Sequence, residues 1–227
     1  MIWAIGDLHF DPVGDKPMDI FGINWIMHKE KIISHWKEVV AEEDLVLLVG
    51  DISWGLKLKD SIVDLEEIDF LPGKKIISKG NHDYWWSSMN KMDEIGLKTI
   101  KFLNNNSYIY DDIAIFGTRG WISKDTPGFT EKDGRIFERE LNRLKNSHDS
   151  ITSCSKKIAM IHYPPFDQSG DLNEFSNFFS EVSTDLCIYG HLHGDGHKFV
   201  IEGEFKNVNY RCVASDYVDF KLQEVTV

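Results

Sequence analysis

Cysteine is scarce in this 227-residue chain: Cys154, Cys187 and Cys212 are the only three, and no two form a CxxC pair. An odd count without paired spacing fits no disulfide framework, so a reducing, cytoplasmic compartment is expected. Long apolar runs are missing too. None approaches the ~20 residues of a membrane span, so no membrane association is expected. The first residues, Met-Ile-Trp-Ala-Ile-Gly-Asp, hold no basic segment and no small-residue cleavage site. Asp7 already belongs to a motif, so no removable leader is expected. A basic surplus is also lacking: 25 Lys and Arg stand against 37 Asp and Glu, for a formal charge of -12. That argues against a broad nucleic-acid surface, which needs basic residues along the phosphates. It leaves room for a small anionic substrate, because bound metal ions invert the local sign. There is no repeat, low-complexity segment or Pro/Gly/Ser-rich linker, so residues 1–227 are expected to form one domain. No feature specifies an oligomeric state.

What the chain does contain is ordinary for a folded protein: 42% hydrophobic and 27% charged residues, enough for a sizeable core. Short, β-branched apolar runs end repeatedly in polar residues. They are Ile2 to Ile5, Leu45 to Val49, Ile76 to Ile77, Ile158 to Ile161 and Leu186 to Tyr189, and they predict buried strands. Helical patterns lie between them. One runs from Trp25 to Val40 with Asn24 as N-cap. Others are marked by Ile62–Leu65–Ile68, Met89–Met92–Ile95 (closed by Gly96), Ile136–Leu144 and Leu172–Val182. Residues 107–117 read as a hairpin turning at Asp111-Asp112, and residues 197–210 as one turning at Glu202-Gly203. The sum is a mixed α/β protein, a class whose ligands gather at the carboxyl ends of strands.

Those strand ends carry the chemistry. In chain order they read Asp7-Leu8-His9, Gly50-Asp51, Gly80-Asn81-His82-Asp83, His162 and Gly190-His191-Leu192-His193. Each alone is weak: Gly-Asp is commonly a turn, and a lone His after a strand is usually a satisfied structural residue. Together they are not. Of nine histidines, five fall in these motifs. Carboxylates, imidazoles and one amide oxygen suit borderline divalent metals such as manganese, iron or zinc. Asp7, His9, Asp51, Asn81, His162, His191 and His193 are too many for one tetrahedral zinc. They are the right number for two ions sharing a bridging carboxylate.

The motifs D-x-H, GD, GNHD, H and GHxH, in this order over residues 7–193, resemble the calcineurin-like metallophosphoesterase superfamily. The resemblance implies a four-layer α-β-β-α sandwich with two mixed β-sheets. It implies a metal-dependent phosphohydrolase with two divalent ions, manganese first and iron or zinc as alternatives. Asp7, His9 and His193 would hold one ion, Asn81, His162 and His191 the other, and Asp51 would bridge them. A hydroxide between the ions would attack phosphorus in a small phosphomonoester or phosphodiester, with a nucleotide as one candidate. His82 would protonate the leaving oxygen, and Asp83 would orient His82.

Departures narrow the choice. Protein Ser/Thr phosphatases of the superfamily continue the second motif as GDxVDRG. Here it continues Gly50-Asp51-Ile52-Ser53-Trp54-Gly55, without the arginine. This stretch, with Gly80 to Trp86 and Gly117-Thr118-Arg119-Gly120-Trp121, is similar to a bacterial branch of phosphohydrolases instead. Arg119 is the candidate phosphate clamp, set against a plain surface salt bridge. Trp54 and Trp121 are candidates to contact substrate, with core packing as the alternative. Two other functions compete. A nuclease of the same superfamily needs a basic groove that the chain lacks. A non-catalytic interaction scaffold would have lost a ligand or the catalytic His, and here all are present.

Overall fold

A strand sandwiched between layers must be apolar on both faces, and successive side chains alternate between them. The computed structural model describes residues 1–227 and shows this alternation at work. Strands β1 (Ile2–Ile5), β2 (Leu45–Val49), β3 (Lys74–Ser78) and β4 (Ile100–Leu103) run parallel in one sheet. The two-residue β11 (Gln223–Glu224) closes its β1 edge antiparallel. The second sheet has the order β5 (Tyr108–Tyr110), β6 (Ile113–Thr118), β7 (Lys156–Ile161), β8 (Leu186–Tyr189), β10 (Val208–Cys212), β9 (Gly203–Phe205). Its four inner strands are parallel and its two edges antiparallel.

Three buried clusters separate four layers. Ile2, Ala4, Leu45, Leu47 and Ile76 of the first sheet meet Ile115, Ile158, Met160 and Ile188 of the second, forming the layer between the sheets. The other parity of the first sheet, including Trp3, Ile5, Val46 and Leu48, packs on α1 (His28–Val39) and α2 (Leu58–Asp69) through Ile32, Trp36, Leu65 and Ile68. Phe116, Ala159, Ile161 and Tyr189 of the second sheet pack on α4 (Glu131–Asp149) and α5 (Glu174–Glu181) through Phe137, Leu144, Phe175 and Phe179. This is the α-β-β-α sandwich of two mixed sheets. The short α3 (Met89–Asp93) also lies on the first sheet's outer side, through Met92. No helix is long and apolar enough to cross a membrane.

Local expectations hold unevenly. Asp111 and Asp112 form the β5–β6 turn, both at positive φ, as a two-residue hairpin demands. The second hairpin turns four residues later than expected, at Lys206-Asn207. Both of these residues have positive φ, while Gly203 opens β9. The first helix also starts later. Residues 18–21 and 23–25 are 3₁₀ turns, Met27 is left-handed, and Asn24 caps nothing. Trp25 leaves the helix because its indole is buried beside the strand-end histidines.

The end of α2 is tied to the sheet by polar groups. Lys75 is wholly buried, and its ammonium meets the carbonyls of Asp69 and Leu71 and the Thr99 hydroxyl, as suits a cation at a helix C-terminus. The Asp69 carboxylate accepts the amides of Lys98 and Thr99 and the Thr99 hydroxyl. Burial works against its charge, yet these donors win and hold its pKa below the usual value. Its stabilisation is therefore present above the unfolded pKa and lost as pH falls through the folded one. Asp69→Asn is expected to cost about 1–2 kcal/mol at pH 7 in urea unfolding. The gap between variant and parent should close in acid; a gap that stays constant with pH would remove the charge from the explanation.

Candidate metal centre

Five parallel strands, β1, β2, β3, β7 and β8, end at one place, and the residues just after each carry the chemistry. Four of the converging side chains need an unusual backbone. Asp7, His9, Asp51 and His191 all have φ between 47° and 74°, a region that costs energy for residues other than glycine and clusters at functional sites. There the strand turns sharply and its first polar side chain points into the cluster. Close approach sets the glycines: a Cβ on Gly80 would collide with Asp51 Oδ1, and one on Gly190 with Asp7 Oδ2.

Two sets of ligand-type atoms result. Asp7, His9 and His193 form one, with His193 Nε2 at 3.2 Å from Asp7 Oδ1. In the other, Asn81 Oδ1 lies 2.7 Å from His162 Nε2 and 2.9 Å from His191 Nδ1, and these two nitrogens are 3.3 Å apart. Asp51 Oδ2 stands between the sets, 3.8 Å from His9 Nε2 and 3.4 Å from His162 Nε2. All seven sequence-predicted ligands therefore meet in one cluster.

Its electrostatics call for a cation. Asp7 and Asp51 are 0% and 1% exposed. Desolvated carboxylates must be paired or must bind metal. Asp51 Oδ2 and His193 Nε2 are buried with no hydrogen-bond partner, which is the condition of atoms shaped to hold an ion. Burial would lower His162 and His193, but the adjacent carboxylates overturn it and raise them to about 9 and about 10. Burial does dominate at His9 and His191, lowered to about 4 and about 3. The negative pocket thus draws positive charge from a proton or from a metal. The tautomers suit a metal: His162 Nδ1 faces the Val49 carbonyl at 3.1 Å and His193 Nδ1 faces Asp216 at 2.7 Å. Each is left with Nε2 aimed inward.

A family model described as calcineurin-like phosphoesterase matches residues 1–195. The chain belongs to the calcineurin-like phosphoesterase family. Membership gives the activity class, phosphoester hydrolysis, and it accords with groups able to hold divalent metal. No curated protein matches the chain in sequence. Among solved structures the fold is similar to a phosphopantetheinyl hydrolase from Mycobacterium tuberculosis, with TM-score 0.59 and 12% identity over 94% of this chain and 89% of that one. It is also similar to the protein TT1561 of Thermus thermophilus, with TM-score 0.51 and 15% identity over 84% and 80% of the two chains. At these identities the likeness is one of fold.

Around the cluster of this calcineurin-like phosphoesterase, some candidate residues stand elsewhere than expected. His82 is half-buried at the cluster's edge, 4.6 Å from the Trp54 ring, and its Nδ1 has no partner. Burial pushes its pKa below the ordinary value. Asp83 does not orient it. The fully buried Asp83 carboxylate accepts the backbone amides of Asp51, Ile52 and Gly80 and the Trp85 indole N–H. Burial and the nearby Asp51 charge push its pKa up, while these donors pull it back. It ties the Gly-Asp turn to the Gly-Asn-His-Asp loop. Arg119 turns away from the cluster to Glu140, at 3.1 Å, because that buried carboxylate lies under the outer side of β6. Trp54 stacks on His9 at 4.9 Å. Trp121 walls a cavity of about 370 Å³ that reaches His191 and Tyr163.

Sequence reasoning missed Asp216. Its carboxylate takes His193 Nδ1 and the Gly194 amide, and His197 Nε2 lies 3.1 Å from it. His197 thus stands behind the cluster. Asp216 follows the end of β10 as the other acids follow theirs, so a strand-end acid was the signal available. His28 also supports the site, with Nε2 3.2 Å from the His9 carbonyl. Two outcomes follow. Asp216→Asn should weaken one divalent ion about 10–100-fold, read by competition with a chelator; unchanged affinity would make Asp216 a spectator. Asp83→Asn should lose about 2–4 kcal/mol of stability in urea, because it opposes an amide N–H₂ to buried donors. His82→Ala should stay close to parental stability, and the reverse ranking would restore Asp83 to a catalytic role.

Proposed function

We propose that this protein hydrolyses a small phosphomonoester or phosphodiester, a nucleotide being one candidate, with two divalent metal ions. Asp7, His9 and His193 would hold one ion and Asn81, His162 and His191 the other, with Asp51 shared. Manganese is the first choice and iron or zinc the alternatives. The observation that carries the reading is Asp51 Oδ2, buried, unpartnered and between the two sets. When bound, such ions supply Lewis acidity to the phosphoryl oxygens and a hydroxide nucleophile near neutral pH.

The chain's own residues do the rest. Asp51 Oδ1 accepts the His82 amide at 2.7 Å, which holds the imidazole's backbone against the metal cluster. His82 then delivers a proton to the leaving oxygen. The imidazolium form is the acid for that step. Trp54, stacked on His9 and tilted against His82, keeps both rings in place and excludes water from one side. The organic part of the substrate is assigned to the cavity beside His191, where Trp121, Tyr163 and Phe199 offer apolar surface and Lys198 a cation. Asn81 contributes a neutral oxygen, so the site is not overloaded with negative charge.

The test uses metal-stripped protein refilled with manganese, assayed on para-nitrophenyl phosphate and its bis-ester. Turnover should depend on the metal and fall about 10²–10⁴-fold in His82→Ala, with metal content unchanged. Absence of turnover with manganese, iron and zinc alike would sink the hydrolytic reading and favour a scaffold.

A further inference from the structure

The loop between β3 and α3 has a second side, away from the metal cluster. There the carboxyl ends of β3, β4 and β6 enclose a cavity of about 220 Å³. Its charged lining is Lys79, Arg119, Arg143 and Glu140. Three cations against one carboxylate leave a surplus of two positive charges, in a chain whose formal charge is -12. Like charges do not gather in a concave space of an acidic protein without something to offset them.

Glu140 does not suffice. It is 1% exposed and already engaged: Oε1 accepts Arg119 Nη2 at 3.1 Å and Arg143 Nη1 at 2.8 Å, and Oε2 accepts the Thr118 hydroxyl at 2.8 Å. These ion pairs do not include Lys79. Arg119 Nε is buried and has no hydrogen-bond partner. Ser87, Asn104 and Asn105 add uncharged donors on the same wall. Glu140 acts as an anchor that holds two guanidinium planes in fixed orientation, which is how arginine forks are prepared for an oxyanion.

We propose that this cavity is a second anion site, one that takes a phosphoryl group on Lys79, Arg119 and Arg143. A phosphate carries about -1.5 to -2 charge at neutral pH, which matches the surplus. Its tetrahedral oxygens suit donors arriving from two strand ends and from α4 better than a planar carboxylate would. The site lies one loop from the metal cluster: Lys79 is two residues before Asn81, and Trp86 and Ser87 on its wall follow His82 and Asp83. The phosphoryl group comes either from free phosphate or from a second phosphate on the substrate.

Isothermal titration of the metal-stripped full chain with inorganic phosphate tests the site without any catalysis. Wild-type protein should bind one phosphate saturably, with sulfate competing and chloride at equal ionic strength not. Affinity should fall at least tenfold in Lys79→Ala and in Arg143→Ala, and hold in His193→Ala. Lys79→Ala breaks none of the ion pairs around Glu140, and a circular-dichroism melt checks that it folds. Non-saturable heats, unchanged affinity in both cation variants, or loss confined to His193→Ala would overturn the proposal. A second arm rests on the hydrolytic reading, so the two fail separately. With manganese-loaded enzyme, the KM of an aryl monophosphate and an aryl bisphosphate is compared in Lys79→Ala. A rise confined to the bisphosphate supports the site with substrate as the source, and equal KM values with weakened phosphate inhibition support it with free phosphate as the source.

Discussion

Two carboxylates, Asp7 and Asp51, are buried side by side at the top of a β-sandwich, and most of the structure around them answers that fact. An unpaired buried carboxylate costs several kcal/mol even after relaxation. The molecule surrounds these two with imidazoles and backbone amides. The convergence of five parallel strand ends makes that density possible. No single helix or loop could bring so many polar side chains to one point while keeping its own backbone hydrogen-bonded. The left-handed turns at Asp7, His9, Asp51 and His191 are the strain accepted for it.

Behind the cluster stand two further acids with different work. Asp83 gathers the amides of two loops and fixes their relative position. Asp216 gathers His193, His197 and the Gly194 amide, and so sets which nitrogen of His193 faces inward. Neither needs to touch substrate to matter. The outer cavity inverts the pattern. There a buried acid holds cations in place, and the surplus charge is positive. One loop, residues 79–87, therefore borders a region that attracts cations on one side and a region that attracts anions on the other.

Much of this was legible in the chain itself. Short apolar runs ending in Asp, Asn or His marked the strands and the cluster, because burial on both faces demands an unbroken apolar run and solvent or ligand ends it. The seven cluster residues, the two-sheet sandwich and the Asp111-Asp112 turn followed from local pattern or from the family's motif order. What local pattern could not carry was direction. Asp83 looked like a partner of His82 because it follows it, yet its carboxylate turns back to the amides of Asp51 and Ile52, far earlier in the chain. Arg119 looked like a clamp because it sits at a strand end between glycines. Glu140, on a helix packed under β6, decides where it points. The turn at Lys206-Asn207 escaped because Glu202-Gly203 was an equally plausible local signal, and pairing of β9 with β10 chose between them.

The sequence by itself determined which residue types stand at strand ends and in what order, because hydrophobic periodicity and turn chemistry are properties of neighbours along the chain. Only the tertiary structure decided which polar atoms face one another, as with Asp216 behind His193 and Arg119 on Glu140. Those pairings join residues about twenty apart, and the relative placement of whole layers sets them.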